Sequence, residues 1–442
     1  MTVHSKDGIK QGTKLERIGQ KALDVETVFN NIAHAIDLES LRDSYQSLDG
    51  KKAIGIDGVT KFGYGGNLEG NLNDLLQRIR QHAYKPNASR LVEIPKEDGS
   101  TRPLAISCFE DKIVQLCVSK ILETIYEPIF LRCSYGYRAN KSCHEALRDL
   151  MRHSVFIRNG ATVEIDLQKY FNSIPHGILM KMLEKKISDK RFLKLVLKLI
   201  RTPLLANGRE EPNKLGCPQG SIISPILSNI YLHYVIDEWF DTIKKTHLED
   251  KAEEVRFADD MVFIFRSERD AERFYDVLPK RLLKYGLKLH ESKSSLIKSG
   301  REAAKLAAKR GERLPVYRFL GFTCYWGQSR NGSWRLKFKS RSDRLTAKLN
   351  GLRQYLAENL HESTRKVLKR VIQVLIGWVN YHAITDNQRQ VNSFLFVSQR
   401  ILFKWINRKG GKKKMNWERF YRVLQYARYP KNYKTTSMFR TG

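Results

Sequence analysis

The stretch that decides the fold is VRFADDMVFIF, residues 255–265, in which two adjacent aspartates stand between two apolar runs. Apolar and aromatic runs of this kind predict paired strands, and the polar tip at Asp259 and Asp260 predicts a tight turn. An ionised carboxylate beside buried strands needs a partner, and a metal ion is the usual one. A plain hairpin turn is the alternative for an isolated Asp-Asp pair.

A second acidic strand favours the metal hypothesis. Residues 161–165 form a largely β-branched run that is followed directly by Asp166. Two strands of one sheet, one ending at Asp166 and the other at Asp259, can hold two Mg²⁺ ions roughly 3.5–4 Å apart. The pattern therefore indicates a two-metal phosphoryl-transfer site, which is the geometry that nucleotidyl transfer needs.

Length and composition limit the class of protein. A chain of 442 residues with 41% hydrophobic content has room for two or three domains with sizeable cores. Its apolar runs fall short of the roughly 20 residues of a membrane span, and no apolar signal core follows Met1, so we expect a cytoplasmic protein without membrane association. Six scattered cysteines without Cys-x-x-Cys spacing argue against a zinc site or a disulfide framework.

The net charge of +32 is concentrated in the carboxy-terminal third. Residues 301–442 contain 32 Lys and Arg against 7 Asp and Glu, and so carry +25 of the total. Trp, Tyr and Phe are interleaved with these cations, a combination that favours a nucleic-acid backbone as the partner. An anionic membrane surface is the weaker alternative, because the basic residues are not concentrated on one amphipathic helix.

Periodicity predicts a mixed chain that ends in helices. Helical spacing occurs in residues 25–48, 71–82, 111–126 and 179–200, the last as one or two helices. Two strands, residues 91–95 and 102–106, are predicted to form a hairpin around a polar loop. From Ser342 onward helical spacing dominates, and the turn-rich residues 327–333 mark the expected boundary.

Six motifs then occur in a diagnostic order. They are the loop with Lys96 and Arg102, the Asp166 strand, residues 217–221 with 228–232, residues 257–260, Lys293 and residues 319–322. In this order and spacing the chain resembles bacterial group II intron reverse transcriptases, the intron-encoded maturases, over nearly its whole length. The resemblance implies an α+β right-hand polymerase: a helical extension over residues 1–60, fingers and palm with an antiparallel sheet plus helices over 61–330, and an α-helical thumb/maturase domain over 331–442.

The resemblance also implies the catalytic residues. Asp166, Asp259 and Asp260 are expected to be catalytic, with Asp260 in a more auxiliary role. Asp166, Asp259 and the backbone carbonyl of Leu167 would bind two Mg²⁺ ions, for which Mn²⁺ is the alternative. This chain has Phe257 where most of the family carries Tyr.

Five residues are expected to bind the incoming deoxynucleotide. Lys96 and Arg102, on opposite arms of the predicted hairpin, would hold the triphosphate. Phe171 would exclude a ribose 2′-hydroxyl, Gln219 would lie against the nucleotide, and Lys293 would lie near its phosphates. For Lys96 and Arg102 the alternative is a pair of solvated surface charges, and for Phe171 it is an ordinary core aromatic.

Three further residues would support the primer and the template. Gly220 would lie against the templating base, where glycine permits close backbone approach. Leu320 and Gly321 correspond to the passage that supports the primer end.

The helical tail resembles the thumb and maturase region of the family. Its candidate RNA-binding residues are Arg408, Lys409, Lys412, Lys413 and Lys414. The implied partners are a structured RNA, namely group II intron RNA, together with an RNA template, a DNA primer and dNTPs, and a homodimer is left open. No His-rich or Cys-x-x-Cys module follows this region, so we expect the family's endonuclease domain to be lacking.

The favoured function is RNA-directed DNA synthesis together with intron RNA binding that assists splicing and mobility. A domesticated free-standing reverse transcriptase, for example in anti-phage defence, has the same chemistry and stays open. A splicing factor without polymerase activity is disfavoured, because a binding module needs no charged metal cage at Asp166 and Asp259. An RNA-dependent RNA polymerase is disfavoured by Phe171.

Overall fold

The computed structural model describes residues 13–95, 101–206, 208–410 and 414–439. Within these ranges the chain combines helices with three β-sheets, so the predicted α+β class is confirmed. The predictions for Lys96, Lys412 and Lys413 lie outside the described residues.

The helices and strands alternate through the first three quarters of the described chain, and helices alone form the last part. The helices are α1 (Lys14–Ala22), α2 (Leu38–Ser47), α3 (Lys61–Gly65), α4 (Leu68–Arg80), α5 (Phe109–Tyr126), α6 (Cys143–Ser154), α7 (Tyr170–Ser173), α8 (His176–Glu184), α9 (Lys190–Ile200), α10 (Ser224–Leu232), α11 (Glu238–Thr246), α12 (Glu268–Lys284), α13 (Arg301–Lys309), α14 (Ser342–Glu358), α15 (Thr364–His382), α16 (Gln388–Lys409) and α17 (Trp417–Tyr426). The strands are β1 (Ser89–Pro95), β2 (Thr101–Ile106), β3 (Gly160–Ile165), β4 (Leu204–Ala206), β5 (Arg209–Glu211), β6 (Ala252–Phe257), β7 (Asp260–Phe265), β8 (Ser295–Ser299), β9 (Tyr317–Phe319), β10 (Phe322–Gln328) and β11 (Trp334–Ser340).

The central sheet has the order β6-β7-β3-β8, with all neighbours antiparallel. Successive residues of β7 point to opposite faces, and both faces are covered. Met261 and Phe263 pack into the largest core, whereas Val262 and Ile264 pack into a second core with β9, β10 and β11. Burial on both faces explains why this strand is apolar at every position after Asp260. A strand with one face exposed to water would alternate apolar and polar residues.

A second sheet contains the predicted hairpin of the fingers. Strands β1 and β2 pair antiparallel, with Ile94 opposite Arg102 and Pro95 opposite Thr101, and the sheet order is β2-β1-β4-β5. The helices predicted at 71–82 and 111–126 are confirmed as α4 and α5, and the segment 179–200 forms two helices, α8 and α9.

The helix predicted across residues 25–48 is wrong in its first half. Phe29 instead bridges to Ile187, and helix α2 begins only after Asp37, whose side chain caps it. The Asp189 carboxylate accepts from the N–H groups of Ile32 and Ala33, both at 2.8 Å, and also caps α9. Those backbone donors are therefore satisfied by a distant residue, and a single 3₁₀ turn, Ala33–Ala35, forms there in place of the predicted α-helix.

The carboxy-terminal part begins as a helical unit at Ser342, as predicted. The expected boundary at residues 327–333 lies at the tip of the β10–β11 hairpin, where Gln328 pairs with Trp334. Helices α14 to α17 enclose their own core around Val371, Phe394 and Trp405.

Among the described residues, no helix combines the length and the apolar character needed to cross a membrane. All six cysteines are free thiols.

Candidate active site

The two aspartates of the opening motif lie at the end of the β6–β7 hairpin. Phe257 pairs with Asp260, so Ala258 and Asp259 form a two-residue turn, and Ala258 takes a left-handed conformation at φ +57°. Gly136 packs directly against this turn, because a Cβ at Gly136 would lie 2.3 Å from the Ala258 nitrogen. The backbone around the turn is thus closely packed and leaves no room for a side chain at residue 136.

Asp166 is brought beside this turn by the neighbouring strand. Ile165 of β3 pairs with Met261 of β7, and Asp166 follows immediately at the same edge of the sheet. The backbone of Asp166 is held by Ser294 and His290: its N–H donates to the Ser294 hydroxyl at 3.0 Å, and its carbonyl accepts from the His290 N–H at 2.8 Å. The predicted meeting of two acidic strand ends is therefore what the structure contains.

Burial and mutual repulsion make it costly to ionise the carboxyl groups at this edge of the sheet. Burial raises the pKa of Asp259, and the charge of Asp166 raises it further, whereas Arg102 and Arg256 lower it. Burial raises the pKa of Asp260 to about 7 and that of Glu164, on β3, likewise to about 7. A bound cation would relieve this cost, since it favours the ionised form of every carboxylate near it.

The donor set fits a hard divalent cation. Asp166 and Asp259 offer half-buried carboxylate oxygens, which suit Mg²⁺ and Mn²⁺. Asp260 faces differently: its Oδ2 accepts the Leu320 N–H at 3.1 Å. Leu167, the next residue after Asp166, has a buried side chain and bridges to Leu289.

A fully buried guanidinium lies under the hairpin turn. Arg256 donates through Nε and Nη2 to both carboxylate oxygens of Asp237, at 2.7 and 2.6 Å. It also donates to Ser134 Oγ at 2.7 Å, to Asn229 Oδ1 at 3.1 Å and to the carbonyl of Ala258 at 3.2 Å. Arg256 therefore ties the β6–β7 turn to Ser134 and to the continuous helical segment that contains Asn229 and Asp237.

Asp237 reaches Arg256 from a π-helical turn, His233–Asp237, inserted between α10 and α11. Within the described residues, one group of three potential metal ligands has its atoms within 4.8 Å of one another: Cys133, Asp237 and Glu254. The Arg256 guanidinium already neutralises this group, and burial raises the pKa of Glu254 well above its ordinary value. The cluster thus holds a guanidinium rather than a metal ion.

Three of the predicted nucleotide residues, Arg102, Phe171 and Lys293, lie on three different elements of the fold. Arg102 is exposed on β2 and acts electrostatically on Asp259. Phe171 is half-buried on α7, and its carbonyl accepts the Cys217 N–H at 2.7 Å. Lys293 is exposed in the turn that follows His290, close in sequence to the residue that bonds Asp166. Phe257 is half-buried against the second core.

Gln219 and Gly220 join the fingers to the palm. The Gln219 carbonyl accepts the Ala105 N–H at 2.6 Å, and a Cβ at Gly220 would lie 2.6 Å from the Ala105 carbonyl oxygen. Gln219 also lines a cavity of about 220 Å³ together with Asn172 and Pro103. Glycine is needed at residue 220 because φ is +99° there and because strand β2 of the fingers approaches its backbone closely.

Leu320 and Gly321 form the two-residue turn between β9 and β10. Both residues have positive φ, +48° and +77°, and Phe319 pairs with Phe322 across the turn. Because the Leu320 N–H donates to Asp260, this turn is attached directly to strand β7.

A family model described as reverse transcriptase (RNA-dependent DNA polymerase) matches residues 94–324, just over half of the chain. The chain belongs to the reverse transcriptase family. The matched region contains Asp166, Asp259 and the Leu320 turn. Reverse transcriptases use divalent metal ions, in agreement with the oxygen-rich edge described above.

Similar proteins are encoded in introns. An uncharacterized 91 kDa protein in a cob intron of Schizosaccharomyces pombe is 38% identical over 175 residues, 39% of this chain and 21% of that protein. The group II intron-encoded protein LtrA of Lactococcus lactis is 33% identical over 224 residues, 50% of this chain and 37% of LtrA. A putative COX1/OXI3 intron 1 protein of Saccharomyces cerevisiae is 33% identical over 230 residues, 52% of this chain and 27% of that protein.

These relatives confirm the resemblance to group II intron reverse transcriptases. The matched part of this chain spans between about a fifth and two fifths of their length.

The predicted RNA-binding residues of this reverse transcriptase differ in their exposure and in their contacts. Arg408 is exposed at the end of α16, and Lys414 is exposed after it. Lys409 is engaged within the protein, since its ammonium donates to the Glu362 carbonyl and lies over the Trp405 ring. Lys409 therefore has a structural contact that its place in a basic cluster did not indicate.

Three residues that matter for the site were missed in the sequence. Arg256 is a cation in the middle of a buried strand, and Asp237 is an acid at the end of an apolar helical run; each is a signal on its own. Their pairing, 19 positions apart, could not be inferred without the π-helical turn. Tyr381, whose hydroxyl donates to the Leu320 carbonyl at 2.8 Å, gave no such signal, because its neighbours in α15 indicate an ordinary core aromatic.

Replacing Asp237 with Asn should destabilise the protein strongly. The change leaves the buried Arg256 guanidinium without its negative partner, and unpairing a buried charge typically costs about 3–5 kcal/mol. Urea denaturation followed by circular dichroism measures the change in the free energy of unfolding.

Glu249→Gln is the matched control, because it removes an exposed carboxylate that pairs with Arg269 and Arg273. Exposed pairs are worth about 0–1 kcal/mol. If Asp237→Asn cost no more than this control, the buried pair would not be holding the palm together.

Proposed function

We propose that this chain is an RNA-directed DNA polymerase that extends a primer 3′-hydroxyl on an RNA template with dNTPs. The observation that carries the proposal is the edge of the central sheet, where Asp166 and Asp259 present half-buried carboxylates from adjacent strands. Membership of the reverse transcriptase family supports the same activity.

In this proposal Asp166, Asp259 and the carbonyl of Leu167 hold two Mg²⁺ ions. When bound, the ions would lower the pKa of the primer hydroxyl and stabilise the pyrophosphate leaving group. The protein supplies oxygen ligands that are already fixed at the edge of the sheet. Little reorganisation would therefore be needed during the reaction. The Asp260 carboxylate accepts the backbone N–H of Leu320. In this proposal it therefore holds the turn and is not a metal ligand.

The remaining residues would position the nucleotide. Arg102 and Lys96 would pair with the triphosphate, and Lys293 would add charge near it. Phe171 would pack under the sugar and clash with a 2′-hydroxyl. Gln219, held by its backbone against β2, would lie beside the base.

Asp259→Asn should abolish primer extension while leaving RNA affinity within about twofold. The change removes one metal ligand charge at a buried position but no cation that contacts phosphate. Extension of a labelled DNA primer on an RNA template in Mg²⁺, together with filter binding of the RNA, measures both quantities.

Asp276→Asn is the control for the same change of charge, because Asp276 is exposed on α12. It should extend the primer at the wild-type rate. Extension by Asp259→Asn at the control rate would remove Asp259 from the metal site and with it the basis of the proposal.

Phe171→Ala should admit ribonucleotides. Loss of the ring removes the steric clash with the 2′-hydroxyl, so the preference for dNTP over rNTP, expressed as a ratio of kcat/KM, should fall by about tenfold or more. Phe62→Ala, which truncates an exposed phenylalanine in the described region, is the control. An unchanged sugar preference in Phe171→Ala would leave that ring as a core residue only.

We further propose that the chain binds group II intron RNA and assists its splicing. Two observations support this role: the +25 charge of residues 301–442, and the intron-encoded nature of its relatives. Arg408 and Lys414 are exposed and available for phosphate contacts, which would give affinity, whereas RNA shape would give selectivity.

Sequencing the RNA that copurifies with the protein from its native host tests this second proposal. Recovery of an excised intron bearing the gene's own flanks is expected, with the RNA bound by an Asp259→Asn protein as a control that is independent of polymerisation. Enrichment of an unrelated non-coding RNA would instead indicate a free-standing reverse transcriptase, such as one used in defence.

A further inference from the structure

The turn formed by Leu320 and Gly321 is conformationally unusual. Leu320 has φ +48°, a left-handed conformation that is sterically unfavourable for a residue with a Cβ. Gly321, at φ +77°, takes the same region without that penalty. A strained non-glycine residue persists only where surrounding contacts hold it, and such residues are concentrated at functional sites.

Two hydrogen bonds hold the peptide groups on either side of Leu320. Its N–H donates to Asp260 Oδ2 at 3.1 Å, and its carbonyl accepts from the Tyr381 hydroxyl at 2.8 Å. Because the N–H and the carbonyl belong to the two peptide groups that flank the residue, the bonds restrict both φ and ψ of Leu320. One bond comes from the catalytic strand β7, and the other comes from helix α15.

Several contacts fix the position of Tyr381. Its ring stacks on Phe322 with centroids 5.8 Å apart, and its backbone carbonyl bonds His144 Nε2 of α6 at 2.8 Å. The Cys143 side chain also faces its hydroxyl. Tyr381 is near the end of α15, whose earlier residues Val371 and Leu375 belong to the core of the carboxy-terminal helices. The Tyr381 hydroxyl thus connects α15 to a turn attached to β7, beside the Arg341 N–H at the start of α14, which donates to the Gly321 carbonyl at 3.3 Å.

We infer that Tyr381 is a positioning residue that sets the conformation of the Leu320 turn and thereby the place of the primer terminus. The inference rests on the proposed polymerase function and on the placement of the primer end at this turn. Asp260 holds the turn from the palm side, and Tyr381 holds it from the helical side. The helical unit therefore contributes to alignment of the primer 3′-hydroxyl as well as to RNA binding.

Tyr381→Phe removes the hydroxyl and keeps the ring that packs on Phe322. The single-turnover rate constant for adding one dNTP to a DNA primer on an RNA template should fall by about three- to tenfold, the size expected for one hydrogen bond. The apparent dNTP dissociation constant should stay within about twofold, because Tyr381 contacts the primer turn and not the nucleotide residues.

A second measurement does not require nucleotide addition. A primer with 2-aminopurine at its 3′ end is bound with its template in the absence of dNTP, and the fluorescence reports unstacking of the terminal base. Tyr381→Phe should raise this fluorescence relative to wild type, because the turn that supports the primer end is released on one side.

Tyr429→Phe is the matched control. It removes a tyrosine hydroxyl that donates to a backbone carbonyl, that of Leu395, at 2.8 Å inside the helical core. Its rate constant and 2-aminopurine fluorescence should equal those of wild type within about twofold. Equal values for Tyr381→Phe and Tyr429→Phe in both measurements would overturn the inference. Failure of the proposed function is a different result, namely that the wild-type protein itself does not extend the primer.

Discussion

The structure depends on one buried charge, the guanidinium of Arg256, which has no exposed surface. Removing an arginine from water is costly, and the cost is offset only when each donor finds an acceptor in good geometry. Here the acceptors come from the catalytic turn, from α10, from the π-helical turn and from the loop that contains Ser134. The β6–β7 turn, the continuous segment from α10 through the π-helical turn, and the loop with Ser134 must therefore assemble around one cation before the turn has its observed shape.

Above that cation, the edge of the sheet concentrates negative charge. Asp166, Asp259, Asp260 and Glu164 lie together, and burial raises the pKa of the last three. The same arrangement opposes folding and favours metal binding, because a divalent cation neutralises charges that the protein leaves mostly unpaired. Arg256 reduces the repulsion from below, and Arg102 reduces it from the side of the fingers.

The carboxy-terminal helices take part in this arrangement through the Leu320 turn. The Asp260 carboxylate accepts the Leu320 N–H, and the Tyr381 hydroxyl of α15 donates to the Leu320 carbonyl. Two consecutive hydrogen bonds thus lead from the acidic edge of the sheet to the helical unit. The basic helical region, which we propose binds RNA, is in this way bonded to the turn that we propose supports the primer.

The sequence by itself determined the α+β class, the β6–β7 hairpin with Asp259 at its turn, the acidic end of β3 and the helical tail, because apolar periodicity and turn composition act over a few residues. Tertiary structure decided the rest. It replaced the helix expected at residues 25–37 with contacts to Asp189, turned Asp260 toward Leu320, and placed Lys409 on Glu362. It also paired Arg256 with Asp237. Each of these outcomes depends on which distant polar group the fold brings within hydrogen-bond distance, and local sequence patterns carry no information about such partners.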